Sequence, residues 1–239
     1  MKRTARILIG LLVFGAATAL AQGAGDGVPD VRVQLVARGA SAELANQVQQ
    51  IVTETASQGL PTGPIVDKAL EGSAKRAPAD RLLTALIDLR TRLGSARQAA
   101  VEAQVQSPPA SLVSAAAQAL GRGMTPEDVR TLIRSAGPVE AATTGLMVAS
   151  SLAAQGIGRA AATRAVERAF KSGRGSSEVL ELPSVAASLI ARGMTVAEVT
   201  TRMLAGSPLA VERPDLTDRP AQGAAILGTQ GTEPPPRKP

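Results

Sequence analysis

Two octets, Gly121-Arg122-Gly123-Met124-Thr125-Pro126-Glu127-Asp128 and Ala191-Arg192-Gly193-Met194-Thr195-Val196-Ala197-Glu198, decide the fold. In each, Arg precedes a Gly that is followed by Met, Thr and an acid within the next turn. Glycine accepts the left-handed conformation that ends an α-helix, and a guanidinium beside it suits the negative end of the helix dipole. The residues that follow read as a new helix start. Thr195 and Glu198 have capping-box spacing, while Pro126 stands at a first helical position where its missing N–H is no loss. Met124 lies five residues before Val129, and Met194 five before Val199, the spacing of a hydrophobic staple. Each octet therefore predicts a tight connection between two helices, not a linker.

Three further junctions share the pattern: Ala37-Arg38-Gly39-Ala40-Ser41, Ser57-Gln58-Gly59-Leu60-Pro61 and Ala154-Gln155-Gly156-Ile157-Gly158. Other helix starts stand at Pro78-Ala79-Asp80, Ser107-Pro108-Pro109, Gly137-Pro138-Val139-Glu140 and Ser176-Ser177-Glu178. Together these predict helices over 31–38, 42–57, 63–75, 79–105, 109–121, 126–135, 138–154, 159–171, 177–191 and 196–205. Pro183 is expected to break or kink the ninth. Over 31–38, Val31, Val33 and Leu35 also alternate as a strand would. The junctions are unevenly spaced, so the expected fold is all-α, an irregular bundle or short solenoid of antiparallel helix pairs occupying residues 31–206.

The most regular helical pattern lies in residues 79–105. Leu82, Leu86, Leu89, Leu93, Ala96, Ala100 and Ala103 alternate steps of four and three and make one apolar seam that narrows from Leu to Ala. A core helix is the expected role, with close neighbours at the Ala end. The sharper alternative is a coiled-coil seam with another chain, which Gly94 weakens.

Outside this region the composition changes. Lys2, Arg3 and Arg6 precede the apolar run Ile7 to Leu20, and Ala19-Leu20-Ala21 carries small residues where a signal peptidase reads them. Residues 1–21 are thus expected to be a cleaved signal peptide, since a largely apolar run of 14 residues falls short of the roughly 20 that span a bilayer. Residues 22–30 read as a flexible segment and 207–239 as a disordered Pro-rich tail. The expected location is periplasmic or secreted, with no membrane span after cleavage. Setting Lys2, Arg3 and Arg6 aside leaves 23 basic against 20 acidic residues, a mildly basic surface.

Composition removes most chemistry. The 239 residues include no Cys, His, Trp or Tyr, so thiolate nucleophiles, imidazole bases and ordinary transition-metal sites cannot be built. No metal and no cofactor is expected. Gly156-Ile157-Gly158-Arg159-Ala160-Ala161 has the G-x-G-x-x-A spacing of a dinucleotide loop, but a helix precedes it where a strand is required. Carboxylates such as Glu71, Asp88, Glu102 and Glu140 could in principle serve a cell-wall hydrolase; the chain lacks the aromatic platforms usual in sugar clefts. They read as solvated or paired on helix faces.

What remains is contact. Arg164, Arg168 and Lys171 share one face of the helix from Arg159, and Arg174 extends the stripe beyond its end. Acidic lipid, lipopolysaccharide phosphates or an acidic protein would suit it. Glu167 lies one turn from Arg164 and Lys171, so pairing within the helix is the plainer reading. Nucleic acid is not expected, because no aromatic side chains are placed for stacking. Arg outnumbers Lys 19 to 4 after residue 21, an excess that a GC-rich gene would also give, as it would the abundance of Ala. An Ala-rich core buries little per residue, so self-association is a reasonable expectation, and Phe170, the sole aromatic after residue 21, is expected to be buried. The composite expectation is a non-catalytic exported interaction or scaffold protein of the bacterial envelope, its partner an envelope protein or an anionic surface. Amino-terminal sequencing of the exported protein is expected to begin at Gln22; a start at Met1 in the exported fraction would refute cleavage.

Overall fold

The computed structural model describes residues 28–205, which form ten α-helices and no strand. They are α1 (Arg32–Ala37), α2 (Ala42–Ser57), α3 (Gly63–Ala74), α4 (Ala79–Glu102), α5 (Ala110–Gly121), α6 (Pro126–Ala136), α7 (Val139–Ala154), α8 (Arg159–Lys171), α9 (Ser176–Ala191) and α10 (Val196–Ala205). Among the described residues no helix is long and apolar enough to cross a membrane. The expected signal peptide (1–21), most of the segment 22–30 and the tail 207–239 lie outside the described residues.

The helix ends follow one rule. At Gly123, φ is +89°, its N–H donates to the Leu120 carbonyl at 3.0 Å, and the next N–H, of Met124, reaches back to the Ala119 carbonyl at 3.1 Å. These two bonds satisfy carbonyls that the helix itself leaves without donors. Gly39, Gly59, Gly156 and Gly193 repeat the arrangement, so all five glycine junctions read from the sequence stop a helix in this way. Three more were not read from it. Gly173 is followed by Arg174 rather than an apolar residue, and Arg76 (φ +51°) and Gln104 (φ +73°) take the left-handed position without glycine. That position costs a residue with a side chain about 1–2 kcal/mol, which the paired backbone bonds offset. Gln104 also ends α4 at Glu102, short of the expected Val105. The end of α6 breaks the rule for a covalent reason: Gly137 is left-handed, but Pro138 after it has no N–H to give.

The helix starts hold as read. Thr125 and Asp128 form a reciprocal capping box, as do Thr195 and Glu198, and Ser41 accepts from the Leu44 N–H at 3.2 Å. Of the expected break or kink at Pro183, the break is absent: α9 runs from Ser176 to Ala191, and the Pro183 carbonyl accepts from Nε2 of Gln155, just beyond α7, at 3.0 Å. Residues 32–37 are helix, not strand: Val31 and Leu35, one turn apart, are buried, and Val33 between them is exposed.

Packing follows chain order. Each helix makes its substantial contacts with helices one or two places along. Thus α5, α7 and α9 form one layer and α4, α6, α8 and α10 the other, the order of a helical-repeat stack. The first layer lacks an α3–α5 contact of this size, and α4 spans the gap by touching α2, α3, α5 and α6. Its expected seam is the reason: Leu82, Leu86, Leu93, Ala96, Ala100 and Ala103 are buried and Leu89 is half-buried. The most extensive helix pairing is α4 with α5, where Ala96, Ala99 and Ala100 and Ala115, Ala116, Ala117 and Ala119 are all buried. Small side chains let two axes approach closely.

Glycine does the same inside helices. A Cβ on Gly145 would stand 2.7 Å from Phe170 Cε2, and one on Gly72 2.6 Å from Leu82 Cδ1. Phe170 is thus seated over Gly145 and packed on the core, yet half-buried rather than buried as expected. Alanine is favoured over glycine in a helix interior by about 1 kcal/mol, so Gly145→Ala would stabilise an open site. Here we expect it to lower the melting temperature, and to do so less in a Phe170→Ala background. A rise in the wild-type background would refute the seat. Gly123→Ala, with nothing within 4 Å of the added atom, is expected to cost about 1–2 kcal/mol from its φ alone.

Candidate functional site

Charge is sorted between the two layers. Helices α5, α7 and α9 contain no Lys or Arg, and their only charged residues are Glu140, Glu178 and Glu181. Helices α6, α8 and α10 carry Arg130, Arg134, Arg159, Arg164, Arg168, Lys171 and Arg202 against Glu127, Asp128, Glu167 and Glu198. Because α5, α7 and α9 form one layer and α4, α6, α8 and α10 the other, an alternation along this part of the chain becomes two unlike layers. On the odd layer Met147 of α7 and Leu180 of α9 are 50% and 53% exposed.

Most arginines of the other layer have internal work. Arg134 Nη2 donates to the Glu102 carbonyl at the end of α4 (3.1 Å), Arg159 Nη1 to the Gly123 carbonyl between α5 and α6 (3.1 Å), and Arg168 to the Leu204 carbonyl near the end of α10. Arg97 of α4 reaches the Gln58 carbonyl after α2 at 2.7 Å. Each guanidinium satisfies a carbonyl at or near the end of another helix and places positive charge at a negative dipole end. The described lysines behave differently: Lys68 and Lys75 pair with Glu71, and Lys171 with Glu167, all within one helix. The excess of Arg over Lys therefore has a structural use, since a planar fork reaches across helices. Asp128 is the most heavily engaged acid, accepting from Thr125 N–H and hydroxyl (2.9 and 2.7 Å) and Thr163 hydroxyl (3.3 Å) and pairing with Arg159 (3.2 Å). The sequence placed it in the first turn of α6 but showed neither its capping of Thr125 nor its link to α8.

Of the basic stripe, the structure brings three members together and leaves one aside. Arg164, Arg168 and Lys171 line an open groove of about 510 Å³ with Glu167 and Leu204. Arg168 holds Leu204 and Lys171 holds Glu167 at 2.7 Å; Arg164 is exposed and makes no hydrogen bond or ion pair among the described residues. Arg174 is half-buried beyond α8, does not line the groove, and gives its backbone N–H to the Ala169 carbonyl at 3.1 Å.

The remaining candidates resolve into structure. Gly156 ends α7 and Gly158 caps α8, so the glycine-rich segment is a helix junction and not a phosphate loop. Glu71 pairs with Lys68 and Lys75, Glu102 with Arg130, and Asp88 and Glu140 are exposed on α4 and α7. Among the described residues no group of three metal-ligating side chains occurs. No family model, no curated protein and no solved structure matches the chain.

Several acids are held below their ordinary titration range by the bonds that order them: Glu198 by Thr195 N–H and hydroxyl, Glu54 by Gln50 and Arg90, Glu71 by Lys75 and Lys68, and Asp30, down to about 2, by Arg32. A carboxylate whose folded pKa is depressed contributes stability above its unfolded pKa and loses it as pH falls through the folded value. Urea unfolding is therefore expected to show stability declining below about pH 4.5. Glu198→Gln keeps an acceptor for the cap but no charge, and is expected to flatten part of that decline; an unchanged pH profile would refute the role of Glu198.

Proposed function

We propose that this chain is a non-catalytic, exported helical module of the bacterial envelope that works by holding another protein against the layer of α5, α7 and α9, which carries no Lys or Arg. The sorting of charge between the layers carries this reading. Interfaces are depleted in Lys and enriched in Met, and α5, α7 and α9 present exposed Met147 and Leu180 on a layer without Lys or Arg, whose charged residues are Glu140, Glu178 and Glu181. The apolar run and small residues before Gln22 support export. A photo-crosslinking residue at position 147 or 180 is expected to capture one envelope protein, the same from both positions. Met147→Lys with Leu180→Lys is expected to abolish capture while leaving the helical melting curve in place. Capture at positions 164 and 168 instead, unaffected by those changes, would overturn the reading.

A second reading has one observation in its favour, the unpaired Arg164 in the groove on α8. In it the module adheres to an anionic envelope surface, lipid or lipopolysaccharide, through Arg164, Arg168 and Lys171, with Arg174 at the margin. Sedimentation with anionic vesicles tests it: binding that survives Arg164→Glu with Arg168→Glu would sink the stripe.

A further inference from the structure

Hydrogen peroxide and related two-electron oxidants act on protein sulfur, and this chain offers them little of it. It contains no Cys and five Met, and no His, Trp or Tyr stands beside them as a slower target. Met1 lies outside the described residues. The other four are in unlike surroundings. Met124 is 4% exposed, and its Sδ accepts from the Ser150 hydroxyl at 3.6 Å. Met203 is 6% exposed on the buried side of α10, and Met194 is half-buried against the core. Met147 alone among the four is exposed, at 50%. It is also the one of them that does not pack on the hydrophobic core.

We infer that Met147 is the oxidation site of this protein and that its sulfoxide releases the partner held by α5, α7 and α9; the release, but not the site, rests on the contact proposed for that layer. In the reaction the Met147 Sδ lone pair attacks one oxygen of hydrogen peroxide. An S–O bond forms as the O–O bond breaks, and the hydroxide that leaves takes the proton from the transferred oxygen, giving the sulfoxide and water. Sulfur is oxidised by two electrons and the peroxide is reduced by two. Exposure decides where this happens, because the oxidant reaches sulfur through water. The fold closes off Met124 and Met203, and at Met124 a hydroxyl already occupies the sulfur.

Oxidation at this position alters the surface and spares the fold. A sulfoxide is polar and its oxygen accepts hydrogen bonds; at Met124 or Met203 it would bring an unpaired acceptor into the core. At Met147 water satisfies it until a partner covers the layer. The layer has few donors to take over from water. Helices α5, α7 and α9 hold no Lys or Arg, and Glu140, Glu178 and Glu181 as carboxylates only accept. One turn before Met147, the hydroxyls of Thr143 and Thr144 already donate to the Val139 and Glu140 carbonyls, at 2.9 and 3.0 Å. Ser151, one turn after it, is the hydroxyl that remains on that side of α7. An apolar contact at Met147 thus becomes a desolvated acceptor short of donors, which a buried interface tolerates poorly. Methionine sulfoxide reductases return the thioether, so the change is reversible.

The full chain, treated with dilute hydrogen peroxide, freed of it and digested for mass spectrometry, is expected to carry sulfoxide at Met147 before Met124, Met194 and Met203. At the stage where Met147 alone is converted, the helical melting curve is expected to be unchanged. With the photo-crosslinking residue at position 180, the same stage is expected to lower capture from an envelope extract by about tenfold or more. Methionine sulfoxide reductase is expected to restore it. Met147→Leu keeps the apolar volume without the sulfur, and is expected to capture as the unmodified chain does and to resist peroxide. Oxidation of Met124, Met194 or Met203 as fast as Met147 would overturn the site. Undiminished capture after conversion of Met147, or an equal loss in Met147→Leu, would overturn the release. No capture by the untreated chain would overturn the contact and the release together, while the order of sulfoxide formation still decides the site.

Discussion

The structure depends on a single residue in the left-handed conformation after each helix, held by two backbone hydrogen bonds. A helix that ends this way stops within two residues and turns its chain, so the next helix starts close beside the end of the one before it. Repeated after eight of the ten helices, the device converts a linear sequence into a stack in which contacts are short-range along the chain. Glycine provides it at six of these ends, and Arg76 and Gln104 at the other two accept the strain. The end of α6, where Pro138 cannot complete the bonds, shows that the constraint is the pair of N–H groups and not glycine itself.

A stack with so much alanine cannot rely on large side chains, and it compensates by proximity. Gly72 and Gly145 let Leu82 and Phe170 settle on helix backbone, and much of the buried surface of α4 and α5 is alanine. Guanidinium groups then tie helix ends across the stack, as Arg97 and Arg134 do for the ends of α2 and α4. Each such bond is exposed and individually modest. The arginines that make them stand on even-numbered helices, while α5, α7 and α9 carry no Lys or Arg, and from that division the functional reading follows.

Much of this was legible in the chain. Gly followed by an apolar residue and then a capping or turn-forming residue marks a helix stop and the next start on chemistry local to about eight residues, so helix positions and the all-α class followed directly. Errors arose where the local signal was absent or ambiguous. Gln104 carries no glycine signal, and Pro183 continues α9 where local rules expect a break. Phe170 was expected to be buried and is half-buried, and its seat is Gly145, 25 residues earlier in the chain.

The candidate surfaces divide in the same way. The sequence by itself determined that Arg164, Arg168 and Lys171 share a face, because helical periodicity is a local property, and that Cys and His chemistry is absent. Only the tertiary structure decided which of those cations are already engaged, that Arg174 stands apart, that charge separates by layer, and that Met147 is exposed while Met124 and Met203 are buried. These follow from which helices become neighbours, and neighbours are selected by burial summed over the whole core, a quantity that no short window of sequence contains.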